Sequence, residues 1–145
     1  LADKLSIALA LVSGQSSLQS QLPIPLTCSM FTDNPVFLSY IDDDPLRLTS
    51  LSKAFYFASF VLSIRSQSAA SSIRMPTLIL QSGNDAIVDV QGIETWFTGI
   101  AHADKKLKKY AGSFHSMDFD KRQFVDYARD LSDWIVARSD KRGPQ

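Results

Sequence analysis

Apolar and polar positions change their rhythm twice along the chain. Leu1 to Val12 places Leu5, Leu9 and Val12 on one face and predicts a helix. Ser13 to Gln21 is a polar stretch, and Pro23 and Pro25 cannot sit inside a helix, so residues 13–35 predict loop with short turns. Asp33 or Asn34, just ahead of Pro35, can cap a short helix running through Ile41. Asp44 followed by Pro45 has the chemistry of a further helix start, an N-cap and then a first helical position. Leu46 to Ile64 is uninterrupted by Gly or Pro and predicts a helix. Its apolar positions include Leu48, Leu51, Phe55, Ala58, Val61 and Leu62, with Tyr56, Phe57 and Phe60 on other faces. Such a helix is buried on two sides or meets something greasy. Ser66 to Arg74 predicts a second short helix.

From Pro76 the pattern shortens. Thr77 to Gln81 is an apolar run closed by Ser82-Gly83-Asn84-Asp85, the mark of a buried strand and a tight loop. Asp89 to Ile100 predicts a helix capped by Asp89, with Ile93, Trp96 and Phe97 inward. Lys105 to Tyr110 predicts a second strand, residues 111–115 a loop, and Lys121 to Ala137 an amphipathic helix. Strands alternating with helices indicate a parallel sheet and an α/β class.

Composition removes several alternatives. The chain has 145 residues, with 15 Lys+Arg against 15 Asp+Glu, so it offers no electrostatic footprint for nucleic acid or an anionic membrane. A single cysteine, Cys28, excludes an intrachain disulfide and fits a reducing, cytoplasmic compartment. Cys28 itself sits in a Pro-rich stretch and reads as a buried or half-buried thiol. No apolar run approaches the roughly 18 residues of a membrane span. The chain begins Leu1-Ala-Asp-Lys-Leu5, with neither Met nor a signal-peptide pattern. It is therefore expected to be processed or a piece of something longer.

In parallel sheets, chemistry gathers where strands end. Asp85 follows the first predicted strand and His115 the second. Neighbouring strands lie about 4.8 Å apart, so an Asp–His hydrogen bond between the two loops is geometrically reasonable. A carboxylate that fixes an imidazole tautomer serves an activated nucleophile. Taken singly, each residue has a plainer account: a turn aspartate and a surface histidine. His102 reads as exposed, Asp89 as a helix cap, and Asp104 and Lys105 as loop charges. Asp42-Asp43-Asp44 lacks the spacing and Gly of a calcium loop and reads as a solvated helix start. No phosphate-binding loop is present, and neither metal nor cofactor is expected.

Residues Pro76 to Asp89, with a Gly-x-Asp loop followed by an apolar pair and a second Asp, resemble the acid loop of α/β-hydrolases. The likeness is to the monoglyceride lipase and lysophospholipase-like group. Asp104 to His115 resembles the last strand and histidine loop of that fold, and the helix from Lys121 its closing helix. Pro23-Ile-Pro-Leu26, Phe31 to Pro35 and Asp44 to Leu48 resemble the cap that covers the active-site mouth. The resemblance implies a partial α/β-hydrolase fold. Residues 1–74 would form a helical cap or lid, and residues 75–145 the last two parallel strand–helix units. It implies Asp85 as triad acid, His115 as triad base, and an ester or lipid-like substrate. Phe55, Phe57 and Phe60 would guide an acyl chain, although ordinary core packing explains them equally well.

One part of the pattern is missing. The nucleophile of these enzymes lies in G-x-S-x-G, ahead of the acid in chain order. Gly14-Gln-Ser-Ser-Leu18 has Leu where the second Gly belongs, and Gly112 to Ser116 does not fit either. The 145 residues alone are thus expected to be inactive, supplying acid and base to a serine they lack. The alternatives are a non-catalytic α/β interaction module and an apolar-ligand-binding module. The apolar strand Leu78-Ile79-Leu80, if bare along one edge, would invite self-association.

Overall fold

Six residues with four Lys, Leu107 and Tyr110 pair with six whose centre is Leu78-Ile79-Leu80, and this two-stranded sheet organises the larger part of the fold. The computed structural model describes residues 17–139, and the helix expected over Leu1 to Val12 lies outside the described residues. Two compact units divide the chain. One takes residues up to 26 together with 44–69, and the other takes 27–43 together with those from 70 onward. The resemblance implied a cap over residues 1–74 and a core part over 75–145. The compact units interleave in sequence.

In the first unit, β1 (Gln21–Pro23) and β2 (Ser50–Ser52) form a short antiparallel pair, with Leu22 opposite Leu51. Helix α3 (Lys53–Ala69) follows β2 directly and runs into a 3₁₀ turn, Ala70–Ser72, that belongs to the second unit. The helix expected from Leu46 therefore starts seven residues later. Asp44 does act locally: its side chain accepts the Leu46 N–H at 2.9 Å, and its carbonyl accepts the Arg47 N–H at 3.0 Å. That closes one turn and goes no further. The chain then extends so that Thr49 accepts the Ile24 N–H and residues 50–52 pair with β1. Thr and Ser are weak helix formers, and pairing to a distant strand outcompetes them. The Ser52 hydroxyl then accepts the Phe55 N–H at 3.2 Å and caps the real start. The Asp42-Asp43-Asp44 run consequently closes one helix and opens a turn.

The apolar residues of α3 do not form a core. Phe55, Phe57, Phe60, Leu62 and Ile64 are all exposed. Only Lys53 is buried along that helix. The expectation of burial on two sides is corrected.

In the second unit, α1 (Cys28–Phe31) and α2 (Pro35–Asp42) precede the sheet. Asn34 caps α2 by accepting the Val36 N–H at 3.2 Å, with Pro35 at the first helical position. Cys28 is half-buried, and its thiol donates to Asp42 at 3.4 Å. Strands β3 (Thr77–Ser82) and β4 (Lys105–Tyr110) pair in parallel, from Thr77 opposite Lys105 to Ser82 opposite Tyr110. Between them runs α4 (Val90–Thr98), capped by Asp89, whose side chain accepts the Gly92 N–H at 3.0 Å. Lys105 is no free loop charge. Its ammonium donates to the carbonyls of Phe97, Thr98 and Ile100 at 2.8–3.1 Å, which satisfies the end of α4 and favours its negative pole. His102 is half-buried, its Nδ1 accepting the Asp104 N–H at 3.1 Å. Asp104 pairs with Arg138 of the last helix.

Helix α5 (Phe124–Ser139) closes the unit. It starts three residues beyond Lys121, because Asp120 organises an entry turn by accepting the Arg122 N–H at 2.9 Å. Phe124, Tyr127, Ala128, Leu131 and Ile135 line an open groove of about 440 Å³ on this helix. The buried apolar residues of the unit are Ala70, Ile100, Tyr110 and Met117, around the sheet ends.

Candidate active site

Both loops of interest leave the sheet at the same level, since Ser82 and Tyr110 are partners in the register. Two backbone bonds then bind loop to loop. The Gly83 N–H donates to the Tyr110 carbonyl at 2.9 Å, and the Asn84 N–H to the Ser113 carbonyl at 2.9 Å. The approach requires glycine at 83: a Cβ there would stand 3.0 Å from the Tyr110 carbonyl oxygen and 3.1 Å from the Ala111 Cα. Gly112 supplies the other conformational need, with a φ of +79° in the left-handed region.

Asp85 and His115, 30 residues apart in sequence, meet across this junction. His115 Nδ1 lies 2.9 Å from Asp85 Oδ2 and 3.2 Å from Oδ1. The carboxylate side chain is only 4% exposed, whereas the imidazole is 34% exposed. Three more donors reach the same carboxylate. The N–H groups of Ile87 and Val88 donate to Oδ1 at 2.9 Å each, and the Ser82 hydroxyl donates to Oδ2 at 2.8 Å. Burial alone would push this carboxyl up. The donors from Val88, His115, Ile87 and Ser82 outweigh it and hold Asp85 below the usual carboxylate range. An ionised carboxylate only accepts, so the proton between the two residues sits on His115 Nδ1. In the neutral ring, Nε2 then carries the free lone pair.

The histidine loop is braced on its far side as well. Phe31 meets the His115 ring edge-on, with centroids 5.7 Å apart and planes at 82°. Phe37 stacks on Phe119 at 4.1 Å. Asp120 is buried; its burial would raise its pKa, but the Arg122 guanidinium and backbone N–H hold it low. Arg122 also pairs with Asp33.

The structure thus brings together the two residues singled out in sequence, Asp85 and His115. It places Phe55, Phe57 and Phe60 on α3 of the first unit, with their rings exposed. Sequence reasoning missed Ser82 as a partner of Asp85. Its signal was available, because a Ser three residues before an Asp across a tight turn is within reach of it. It also missed the Phe31 ring against His115, for which no local pattern exists.

A parallel pair with acid and histidine loops at its carboxyl ends defines part of an α/β-hydrolase. Solved structures agree on the fold. A monoacylglycerol lipase from Paleococcus ferrophilus superimposes with a TM-score of 0.83 at 24% identity, over 92% of this chain and 52% of that one. A soluble variant of the monoglyceride lipase from Saccharomyces cerevisiae, in complex with a substrate analogue, gives 0.80 at 19% identity, over 94% and 50%. The chain belongs to the hydrolase family described as serine aminopeptidase, S33, which matches residues 2–122. Among curated relatives, phospholipase YtpA of Bacillus subtilis (strain 168) is 26% identical over 94 residues, 63% of this chain. The chain spans 36% of that protein and about half of each lipase structure. Among the described residues, no helix is long and apolar enough to cross a membrane.

Proposed function

We propose that these residues supply the acid and the base of a Ser–Asp–His triad that hydrolyses carboxylic esters, with lipid esters as the substrate class. The observation that carries the reading is the His115–Asp85 bond at 2.9 Å on a carboxylate held ionised by three further donors. The phospholipase and lipase relatives support the substrate class. The nucleophile is a serine outside the 145 residues, since none of their serines lies in G-x-S-x-G.

His115 Nε2 accepts the proton of that serine as its Oγ bonds to the ester carbonyl carbon. The same proton passes to the departing alcohol oxygen as the acyl–oxygen bond breaks. A water molecule then repeats the sequence and releases the acid. Asp85 keeps the proton on Nδ1 and stabilises the imidazolium between the two transfers. Phe55, Phe57 and Phe60 of α3 are the acyl-chain contacts of a cap. Among the described residues β3 has no partner strand on its outer edge, and self-association through Leu78, Ile79 and Leu80 is the further expectation of this reading.

The test begins with the coding sequence upstream of Leu1. An open frame through a strand, a G-x-S-x-G and a helix supports the reading. The encoded protein should hydrolyse p-nitrophenyl esters and lose roughly six orders of magnitude in kcat with His115→Ala. Ester turnover that survives His115→Ala in that protein overturns the reading. So does steady, His115-dependent turnover by the 145 residues alone.

A further inference from the structure

The loop carrying His115 is anchored by β4 before it and α5 after it, but its middle is held from outside, by the bend between α1 and α2. The Ser116 N–H donates to the Phe31 carbonyl at 2.9 Å. The Asn34 side-chain amide donates to the Phe119 carbonyl at 3.2 Å, across 85 residues of sequence. The Phe31 ring stands edge-on to the imidazole. These contacts are interior ones: Thr32 is 1% and Asn34 5% exposed.

We infer that the bend over residues 31–34 is a positioning element for His115, and that Phe31 and Asn34 act through it on the imidazole. The inference rests on the reading of His115 as the base. The argument is geometric. One hydrogen bond to Asp85 fixes a point on the ring but leaves rotation about that bond. The imidazole is a third exposed, and Gly112 three residues earlier adds backbone freedom. An edge-on phenyl ring on one side limits that rotation. The bonds at Ser116 and Phe119 fix the backbone on which the ring is mounted. A base that must meet a hydroxyl within a fraction of an ångström needs such support.

Asn34 allows the positioning role to be separated from simple stability. Its Oδ1 caps α2, and its Nδ2 tethers the loop. Asn34→Asp keeps an oxygen for the cap, removes the donor, and sets a carboxylate oxygen against the Phe119 carbonyl. Phe31→Leu removes the ring contact and leaves the backbone bond in place.

The experiment is nitrogen-15 NMR of the His115 side chain in the 145-residue chain, following exchange of the Nδ1 proton with water. Both variants are expected to retain the native circular dichroism and to speed that exchange about tenfold, the loss of roughly one hydrogen bond's worth of restraint. In an ester-hydrolysing protein that contains these residues, kcat falls by a similar factor and KM stays put. Unchanged exchange in both folded variants overturns the inference. Should either variant unfold, the wild-type chain decides: cross-relaxation between the Phe31 and His115 rings is expected, and its absence overturns the inference equally. The catalytic reading can fail on its own, through ester hydrolysis indifferent to His115→Ala, while the exchange result stands.

Discussion

The Asp85 loop and helix α3 are opposites in how they use their residues. In the loop, a few polar groups satisfy one another completely. One buried carboxylate takes four donors from Ser82, Ile87, Val88 and His115. Along α3, large apolar residues stand more than half exposed, as with Phe55, Phe57 and Phe60. Burial of apolar area usually holds a small fold together, and polar loops usually decorate it. Here the loop is the tightly specified part and the aromatic helix is the open one. The lesson is that specification follows satisfied partners, whether polar or apolar.

The sharpest way to break the contrast is Asp85→Ala. Four donors lose their acceptor, three of them buried or half-buried, and stability should fall by roughly 2–4 kcal/mol in urea unfolding. A loss below half a kcal/mol would mean the loop is as loosely held as α3. Gly83→Val comes next. Its side chain meets backbone on β4 and the following loop, and a cost of about 1–3 kcal/mol is expected, with the Asp85–His115 contact opened. Ser82→Ala removes one donor of the four, for about 1 kcal/mol.

Acid should act on the same region. The Asp85 pKa is lowered in the folded state, and so are those of Asp120 and Asp130. For Asp130 the leading cause is the hydrogen bond from Lys108, followed by that from Tyr110. A group depressed on folding stabilises fully above its unfolded pKa, and that stability is lost as pH falls through the folded value. Unfolding free energy should therefore be flat near neutrality and decline from about pH 5 downward. Ser82→Ala should weaken that decline, because it returns Asp85 toward its ordinary value. The smallest effect is reserved for α3. Phe57→Ser with Phe60→Ser should move stability least, by less than about 1 kcal/mol, since both residues are already more than half exposed. If those rings contact acyl chains, the same pair raises KM for long-chain esters and spares short ones.

The two regions also differ in how well they could be read from sequence. Strand β4 and the caps at Asn34 and Asp89 are local matters, decided within a few residues, and they fold as their chemistry dictates. The Asp85–His115 pair was legible because a parallel strand pair converts a separation of 30 residues into adjacency. The start of α3 was not, because Asp44 and Pro45 form their turn and a strand 29 residues away then claims Ser50–Ser52. No periodicity encodes that competition. The tether from Asn34 to Phe119 is hidden for the same reason: its local duty as a cap accounts for the residue fully and conceals the distant one.

The register of β3 against β4 has a metrical consequence. Each strand residue advances the chain by about 3.3 Å. A slip of one position would carry His115 past Asp85 by more than the 2.9 Å that joins them, and would turn Ser82 to the opposite face of the sheet. The pairing of Ser82 with Tyr110 is therefore a precondition of the dyad, which the two loops and the bend over residues 31–34 then bring to its final geometry. The sheet thus serves as the gauge from which the chemistry is set out.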